Sequence, residues 1–139
     1  MKVIILAAGE GKRLRPLTNE IPKCLVTLFG KSILHRQIEI YKKLNIKDII
    51  IISGYKREKI KIENIQEYHN KEFDSTNMLE TLFCAENELE DSVIIAYGDI
   101  IFEEENLNLL INSKEDISVV IDKKWKEYWF TRMDDPIKD

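Results

Sequence analysis

The sequence predicts an α/β protein with a doubly wound, mostly parallel sheet flanked by helices. Three observations lead to this fold class: short apolar runs recur along the chain, amphipathic patterns of helical period separate them, and glycines follow three of the runs. Nearly continuous β-branched runs are typical of strands that are buried on both faces of a parallel sheet. Alternation of such strands with helices implies right-handed crossovers between parallel neighbours.

Four apolar runs are the predicted strands, at residues 3–7, 48–53, 93–96 and 117–121. Three helices are predicted from apolar faces formed by Ile33, Ile38, Tyr41 and Leu44, by Met78, Leu79, Leu82 and Phe83, and by Leu107, Leu110 and Ile111. Ser32 is the predicted N-cap of the first helix, and Ser75 or Thr76 that of the second, because hydroxyl side chains accept hydrogen bonds from first-turn amides.

The length of 139 residues suits a single domain over residues 1–139. Hydrophobic residues make up 44% and charged residues 33%, an ordinary globular balance. No apolar run reaches the ~18–20 residues that span a bilayer, and the first run is too short for a signal peptide, so we expect a cytoplasmic protein. The net charge of −4 argues against nucleic-acid and membrane partners. Cys24 and Cys84 lack metal-ligand spacing and are expected to be buried free thiols, with a disulfide as the alternative.

Positive charge is concentrated at the start of the chain. Residues 1–23 hold five basic and two acidic side chains, a net +3, on a protein that is acidic overall. Such a segment favours a localised anionic ligand, although a solvated charged loop would have the same composition.

The strongest motif in the sequence is LAAGEGKRLRPLT, from Leu6 to Thr18, followed by Pro22 and Lys23. Glycines let backbone N–H groups approach phosphate, and basic side chains can neutralise it. A P-loop is excluded because Leu6 stands where its first glycine is needed. A dinucleotide fingerprint is excluded because its third glycine would be Leu14.

Three predicted strands end in glycine-marked turns, at residues 8–23, at Gly54-Tyr55 and at Gly98-Asp99. Ligands of open α/β sheets bind beyond the carboxyl ends of the strands, so we expect these turns to meet at one edge of the sheet.

These motifs resemble the nucleotidyltransferase family that includes sugar-1-phosphate nucleotidylyltransferases and phosphocholine cytidylyltransferases. The family spacing is matched by Gly9, Gly11, Arg13, Pro16, Pro22 and Lys23, and the similarity continues through Gly54-Tyr55, residues 74–77 and Gly98-Asp99. The resemblance implies a Rossmann-like fold and transfer of a nucleoside monophosphate from an NTP with release of pyrophosphate. It also implies that the chain corresponds to the N-terminal part of the family, whose members continue further and carry a second metal-binding Asp.

The resemblance also assigns roles to individual residues. Backbone groups of Leu6, Ala7, Ala8 and Gly9 would hold the base and ribose, while Gly11 and Arg13 would clamp the β- and γ-phosphates. Lys23 would act at the reacting phosphates and Asp99 would hold Mg²⁺, which makes Arg13, Lys23 and Asp99 the candidate catalytic residues. The implied nucleotide site is completed by Lys12, Gly54, Tyr55, Asn77 and Gly98.

Simpler interpretations stay open for three of these residues. Asp99 could be an ordinary turn residue after a glycine, Asn77 could cap a helix, and Tyr55 could only pack.

The tail pattern D-x-x-W-x-x-x-W-x-x-R, from Asp122 to Arg132, resembles the cytidylyltransferase branch that handles phosphocholine and aminoethylphosphonate. Trp125, Tyr128 or Trp129 could hold an ammonium group by cation–π contact, with packing as the alternative. Arg132 could bind the substrate phosphate or pair with Asp134 or Asp135.

The predicted activity is therefore transfer of CMP from CTP to a small phosphate or phosphonate such as phosphocholine, with Mg²⁺ as cofactor. The alternatives are a sugar-1-phosphate nucleotidylyltransferase and a non-catalytic nucleotide-binding module. Because Trp125 and Trp129 would share one helix face, a homodimer that buries them is expected.

Overall fold

The structure is a computed structural model that describes residues 1–133. Contacts divide it into two compact units, Met1–Phe102 and the residues from Glu103 onward. The first unit holds strands β1 (Lys2–Ala7), β2 (Thr27–Leu28), β3 (Lys31–Ser32), β4 (Asp48–Ser53), β5 (Gln66–His69) and β6 (Val93–Tyr97), with helices α1 (Ile33–Lys43) and α2 (Met78–Phe83). The second unit holds α3 (Glu104–Ile111) and α4 (Trp125–Phe130).

The four-stranded sheet of the first unit has the order β5-β4-β1-β6, and all its pairs are parallel. Ile4 and Ile5 of β1 and Ile50 to Ile52 of β4 are at most 1% exposed, so the central strands are covered on both faces. On one face Ile4, Ile50 and Ile52 form a cluster with Ala85, beside Leu82 of α2. The predicted parallel α/β architecture is confirmed.

The helix predictions differ in detail from the structure. Ser32 caps α1, since its side chain accepts a hydrogen bond from the His35 amide. The predicted cap of α2 at Ser75 or Thr76 is wrong: Asn77 takes that place in a reciprocal capping box with Glu80. Asparagine satisfies first-turn amides as well as serine does, so the helix begins one residue later than Thr76 would indicate and two later than Ser75 would.

The predicted strand at residues 117–121 is also wrong. These residues form no strand, and Ile117 and Ile121 are 86% and 71% exposed. Strand propensity depends on a neighbouring strand and a surface to pack against, and the described residues of the second unit offer no strand. Conversely, Gln66–His69 does form a parallel edge strand, although its polar sequence gave no strand signal.

Both cysteines are free thiols, as expected. Cys24 is buried, whereas Cys84 is only partly buried. No helix within residues 1–133 is long and apolar enough to cross a bilayer.

Candidate functional site

The carboxyl ends of three parallel strands are joined through backbone contacts. After β4, the Tyr55 amide donates to the Ala8 carbonyl at 3.1 Å; after β6, the Gly98 amide donates to the Leu6 carbonyl at 2.8 Å. The expected convergence of the three glycine-marked turns is therefore confirmed. We call this edge, formed by residues 8–23, Gly54-Tyr55 and Gly98-Asp99, the carboxyl rim.

Two of these turns need glycine because the backbones lie so close together. A Cβ atom on Gly54 would come within 2.7 Å of the Ala8 carbonyl oxygen, and one on Gly98 within 3.0 Å of the Leu6 carbonyl oxygen. Gly9 differs, since a Cβ there would meet no protein atom within 4 Å. The protein itself does not need a glycine at position 9, and the open space in front of this backbone is available to a ligand.

The glycine-rich loop is fixed by its own residues. Gly11 has a φ of 70°, and a Cβ on it would lie 3.0 Å from Cβ of Lys23. The buried Thr18 hydroxyl donates to the Gly11 carbonyl at 2.8 Å, which anchors the turn Lys12–Leu14 that follows. Thr18 and Lys23 thereby pack directly against the backbone that is expected to meet phosphate.

The basic side chains of the loop have different partners. Glu10 forms ion pairs with Arg15 and with Lys12, whose Nζ lies 3.3 Å from the carboxylate. Arg13 is exposed and forms no ion pair with any acid among residues 1–133. Glu10 thus pairs with Lys12 and Arg15, and Arg13 is the basic residue of the loop without an ion-pair partner among the described residues.

Lys23 and Asp99, 76 residues apart in sequence, form an ion pair at the carboxyl rim. The side chains are 30% and 33% exposed, so both remain accessible from solvent. Lys23 binds only one carboxylate oxygen of Asp99, and no other described residue donates to this carboxylate. The remaining oxygen is a hard donor of the kind that Mg²⁺ prefers.

Cys24, next to Lys23, is not a nucleophile in this arrangement. Burial raises the pKa of its thiol to about 12, with a smaller contribution from the Asp99 charge. The thiol is therefore protonated at neutral pH, and the chemistry of the site depends on the charged residues.

Tyr55 holds the loop from the side. Its hydroxyl donates to the Asn19 carbonyl at 2.9 Å, and its ring packs edge-to-face against Phe73 at 6.0 Å. Asn77 uses its side-chain oxygen to accept from the Leu79 and Glu80 amides. The structure thus shows the packing and capping roles, and nucleotide contacts by these two residues stay predictions.

Trp125, Trp129 and Arg132 belong to the second unit, in or just after α4. The two indole rings pack edge-to-face at 5.9 Å, and the Arg132 guanidinium lies 5.7 Å from the centre of the Tyr128 ring. The alternative partners of Arg132, Asp134 and Asp135, lie outside the described residues.

One polar residue that hydrogen-bonds to the carboxyl rim was not predicted from the sequence. Gln37 of α1 is 1% exposed and donates to the Tyr97 and Ile100 carbonyls, which flank Gly98-Asp99. The available signal was a glutamine on an otherwise apolar helix face, between Leu34 and Ile38.

Comparison with known proteins identifies the class to which this fold and site belong. The model of the nucleotidyl transferase family matches residues 2–127, and the chain belongs to this family.

Among its relatives is a CTP:phosphoglutamine cytidylyltransferase from Campylobacter jejuni, 38% identical over an alignment that covers all of this chain and 59% of the relative. A choline-phosphate cytidylyltransferase from Streptococcus pneumoniae is 37% identical over 74% of this chain and 47% of its own length. A solved structure of CTP:phosphocholine cytidylyltransferase from Streptococcus pneumoniae superposes with a TM-score of 0.67 at 34% identity, over 75% of this chain and 49% of that one. The chain therefore spans about half the length of the relatives it matches.

Proposed function

We propose that the protein transfers CMP from CTP to a small phosphate-bearing molecule and releases pyrophosphate. The observation that carries this proposal is the meeting of Lys23 and Asp99 beside the glycine-rich loop, at the carboxyl ends of β1 and β6. Cytidylyltransferases among the relatives support CTP as the nucleotide. NTPs and phosphorylated metabolites are cytoplasmic, so this is the proposed compartment.

In the proposed reaction, a phosphate oxygen of the acceptor forms a bond to the α-phosphorus of CTP. The bond from this phosphorus to the bridging oxygen breaks, and pyrophosphate leaves with the electron pair. Two anions approach each other, so positioning and charge neutralisation govern the rate, and no protein nucleophile is needed.

The residues of the rim divide this task. We assign to exposed Arg13 the β- and γ-phosphates, which become the leaving group, and to Gly11 the close approach of the backbone to them. To Lys23 we assign the charge that develops at the reacting centre. Backbone groups of residues 6–9 are proposed to hold the base and ribose, beside the open space at Gly9.

Asp99 is proposed to hold Mg²⁺. Its unpartnered carboxylate oxygen fits a cation that binds proteins through one or two carboxylates and keeps several waters and substrate phosphates as its other ligands. When bound, Mg²⁺ supplies neutralisation of phosphate charge.

The acceptor is proposed to carry an amino or quaternary ammonium group as well as phosphate, with phosphoglutamine and phosphocholine as the two acceptors that the relatives' names supply. Trp125 and Trp129 are 43% and 39% exposed, and Arg132 already places a cation over Tyr128. These accessible aromatic faces suit an ammonium group. Trp129→Leu is expected to raise KM for such an acceptor and leave KM for CTP unchanged, whereas Phe130→Leu, on another side of α4, serves as the matched control.

The deciding experiment measures pyrophosphate release with each of four NTPs, crossed with phosphoglutamine, phosphocholine, aminoethylphosphonate and glucose 1-phosphate. We expect release with CTP and an amino-bearing acceptor. Release only with UTP or dTTP and the sugar phosphate would replace the proposal with the sugar-1-phosphate activity. CTP binding without any release at high protein concentration would instead indicate a non-catalytic nucleotide-binding module.

As an alternative use of Trp125 and Trp129, we propose that they are buried when the chain self-associates as a two-fold dimer. Trp125 and Trp129 are 43% and 39% exposed, so about two fifths of the roughly 150–250 Å² that each can bury remains, worth a few kcal/mol for the pair at ~25 cal/mol per Å² before entropy is subtracted. Sedimentation at micromolar concentration is expected to show a dimer that Trp125→Ala/Trp129→Ala converts to monomer. A monomeric wild type with both indoles shielded from a fluorescence quencher would contradict the dimer.

A further inference from the structure

Gln37 is a polar residue in a place that favours an apolar one. It lies on the buried face of α1 with Leu34, Ile38 and Tyr41, all at most 4% exposed. Burying an amide is unfavourable unless its groups find hydrogen-bond partners. A glutamine at this position therefore needs hydrogen-bond partners, and it can donate to acceptors that a leucine would leave unpaired.

The partners are two backbone carbonyls at the carboxyl rim. Nε2 of Gln37 donates to the Tyr97 carbonyl at 2.9 Å and to the Ile100 carbonyl at 2.7 Å. Two carbonyl acceptors fix which end of the amide is the nitrogen. The other end, Oε1, is buried and has no hydrogen-bond partner among residues 1–133. Because this oxygen is left without a partner, the value of Gln37 lies in the two N–H donors.

These two carbonyls bracket Gly98 and Asp99. Within the same turn, the Gly98 amide donates to the Leu6 carbonyl of β1 at 2.8 Å. The turn is therefore hydrogen-bonded both to β1 and to α1. With both flanking peptides fixed, the backbone that carries the Asp99 carboxylate has little freedom to move away from Lys23.

We propose that Gln37 is a positioning residue: by binding the carbonyls on both sides of Gly98-Asp99, it fixes the Asp99 carboxylate where it binds the divalent cation. This inference rests on the proposed role of Asp99. Residues that orient a metal ligand commonly change metal affinity about 10–100-fold when they are replaced. Gln37 itself touches neither the nucleotide nor the metal.

The test compares Gln37→Leu, which removes both donors, with Ile38→Ala, a matched control on the same buried helix face. A second variant, Gln37→Glu, keeps the shape and replaces the donors with carboxylate oxygens. Binding of Mn²⁺ as a probe is measured by electron paramagnetic resonance in the presence of CTP, and CTP binding without metal by calorimetry. Pyrophosphate release against Mg²⁺ concentration gives a third readout.

We expect both Gln37 variants to weaken Mn²⁺ binding and to raise the half-saturating Mg²⁺ concentration about tenfold, with CTP binding in the absence of metal changed less than about twofold. Ile38→Ala should lower the melting temperature without changing either metal readout. Unchanged Mn²⁺ binding in a folded Gln37 variant would overturn the positioning role. Asp99→Asn distinguishes the two proposals: if it too binds Mn²⁺ like wild type, the proposed role of Asp99 fails first.

Discussion

Two lysine–carboxylate pairs lie at opposite ends of the same parallel sheet, and their surroundings differ. At the start of β1, Lys2 pairs with Glu88, whose other oxygen accepts from the Tyr68 hydroxyl at 2.7 Å and from Gln66 at 2.9 Å. At the carboxyl rim, Asp99 accepts from Lys23 alone within the described residues. We call the Lys2–Glu88 end the amino rim.

The number of hydrogen-bond donors separates the structural carboxylate of Glu88 from that of Asp99, which is proposed to bind a cation. Glu88 uses both oxygens to join β1, β5 and the turn before β6, and its side chain is 15% exposed, against 33% for Asp99. Hydrogen bonds lower the pKa of Glu88 from its ordinary value of 4.5, and the one from Lys2 has the largest effect. An acid that is satisfied by the protein holds elements together, and one that keeps a free oxygen can bind a cation.

The largest effect is expected when the carboxylate at each rim is replaced by the neutral amide of the same shape. Asp99→Asn should lower pyrophosphate release at least about 100-fold, because several kcal/mol of charge stabilisation is lost, while the melting temperature changes little. Glu88→Gln should do the reverse, with a lower melting temperature and near wild-type turnover. Wild-type activity of Asp99→Asn at limiting Mg²⁺ would contradict the proposed difference between Asp99 and Glu88.

A second pair of variants separates the expected roles of two cations at the carboxyl rim, one in catalysis and one in CTP binding. Lys23→Ala should lower kcat about 100-fold, since its charge is proposed to act at the reacting centre. Arg13→Ala should mainly raise the Kd for CTP, by about tenfold, because it is proposed to bind the leaving pyrophosphate. Lys31→Ala removes an exposed lysine paired with Glu39 on α1 and serves as the control. An unchanged Kd for CTP in Arg13→Ala would withdraw its role.

Two glycines of the rim should respond in opposite ways. Gly54→Ala should destabilise the fold by about 1–3 kcal/mol, because the new Cβ would overlap with Ala8 and Phe73. Gly9→Ala should leave stability unchanged and weaken CTP binding, because its Cβ would enter space that only a ligand would fill. Urea unfolding and CTP titration of both variants measure the two effects. An equal loss of stability in both variants would mean that the fold itself requires glycine at position 9.

The smallest effect concerns pH at the amino rim. The pKa of Glu88 is lowered by folding, so its ionised form stabilises the protein above its ordinary pKa of 4.5, and this contribution is lost as pH falls through the lower folded-state pKa. The difference in stability between wild type and Glu88→Gln should therefore be full at pH 6 and shrink below about pH 4. A difference that stays constant down to pH 3 would show that the carboxylate charge is not its source.

The sequence was informative wherever local pattern decides structure. β1, β4, β6 and α1 follow from apolar periodicity, and the carboxyl rim follows from glycines at strand ends. The polar strand at Gln66–His69 gave no such signal, because its pairing depends on β4 and not on its own side chains. The run at residues 117–121 was predicted wrongly because its apolar residues have no strand partner among the described residues of the second unit.

Within the site, residue types could be predicted but partnerships could not. The motif named Lys23 and Asp99 as separate candidates, and nothing in their spacing showed that they bind each other across 76 residues. The role of Gln37 could not be predicted, because it depends on which backbone carbonyls the side chain reaches, and only the tertiary structure determines these.

The ion pair at the carboxyl rim has a thermodynamic consequence for how ligands enter. Lys23 and Asp99 are each other's counter-ions. If Asp99 binds Mg²⁺ and Lys23 binds the phosphates of CTP, as proposed, each ligand weakens the ion pair and so lowers the cost of binding the other. By linkage the assistance would be reciprocal: the factor by which Mg²⁺ tightens CTP binding would equal the factor by which CTP tightens Mg²⁺ binding.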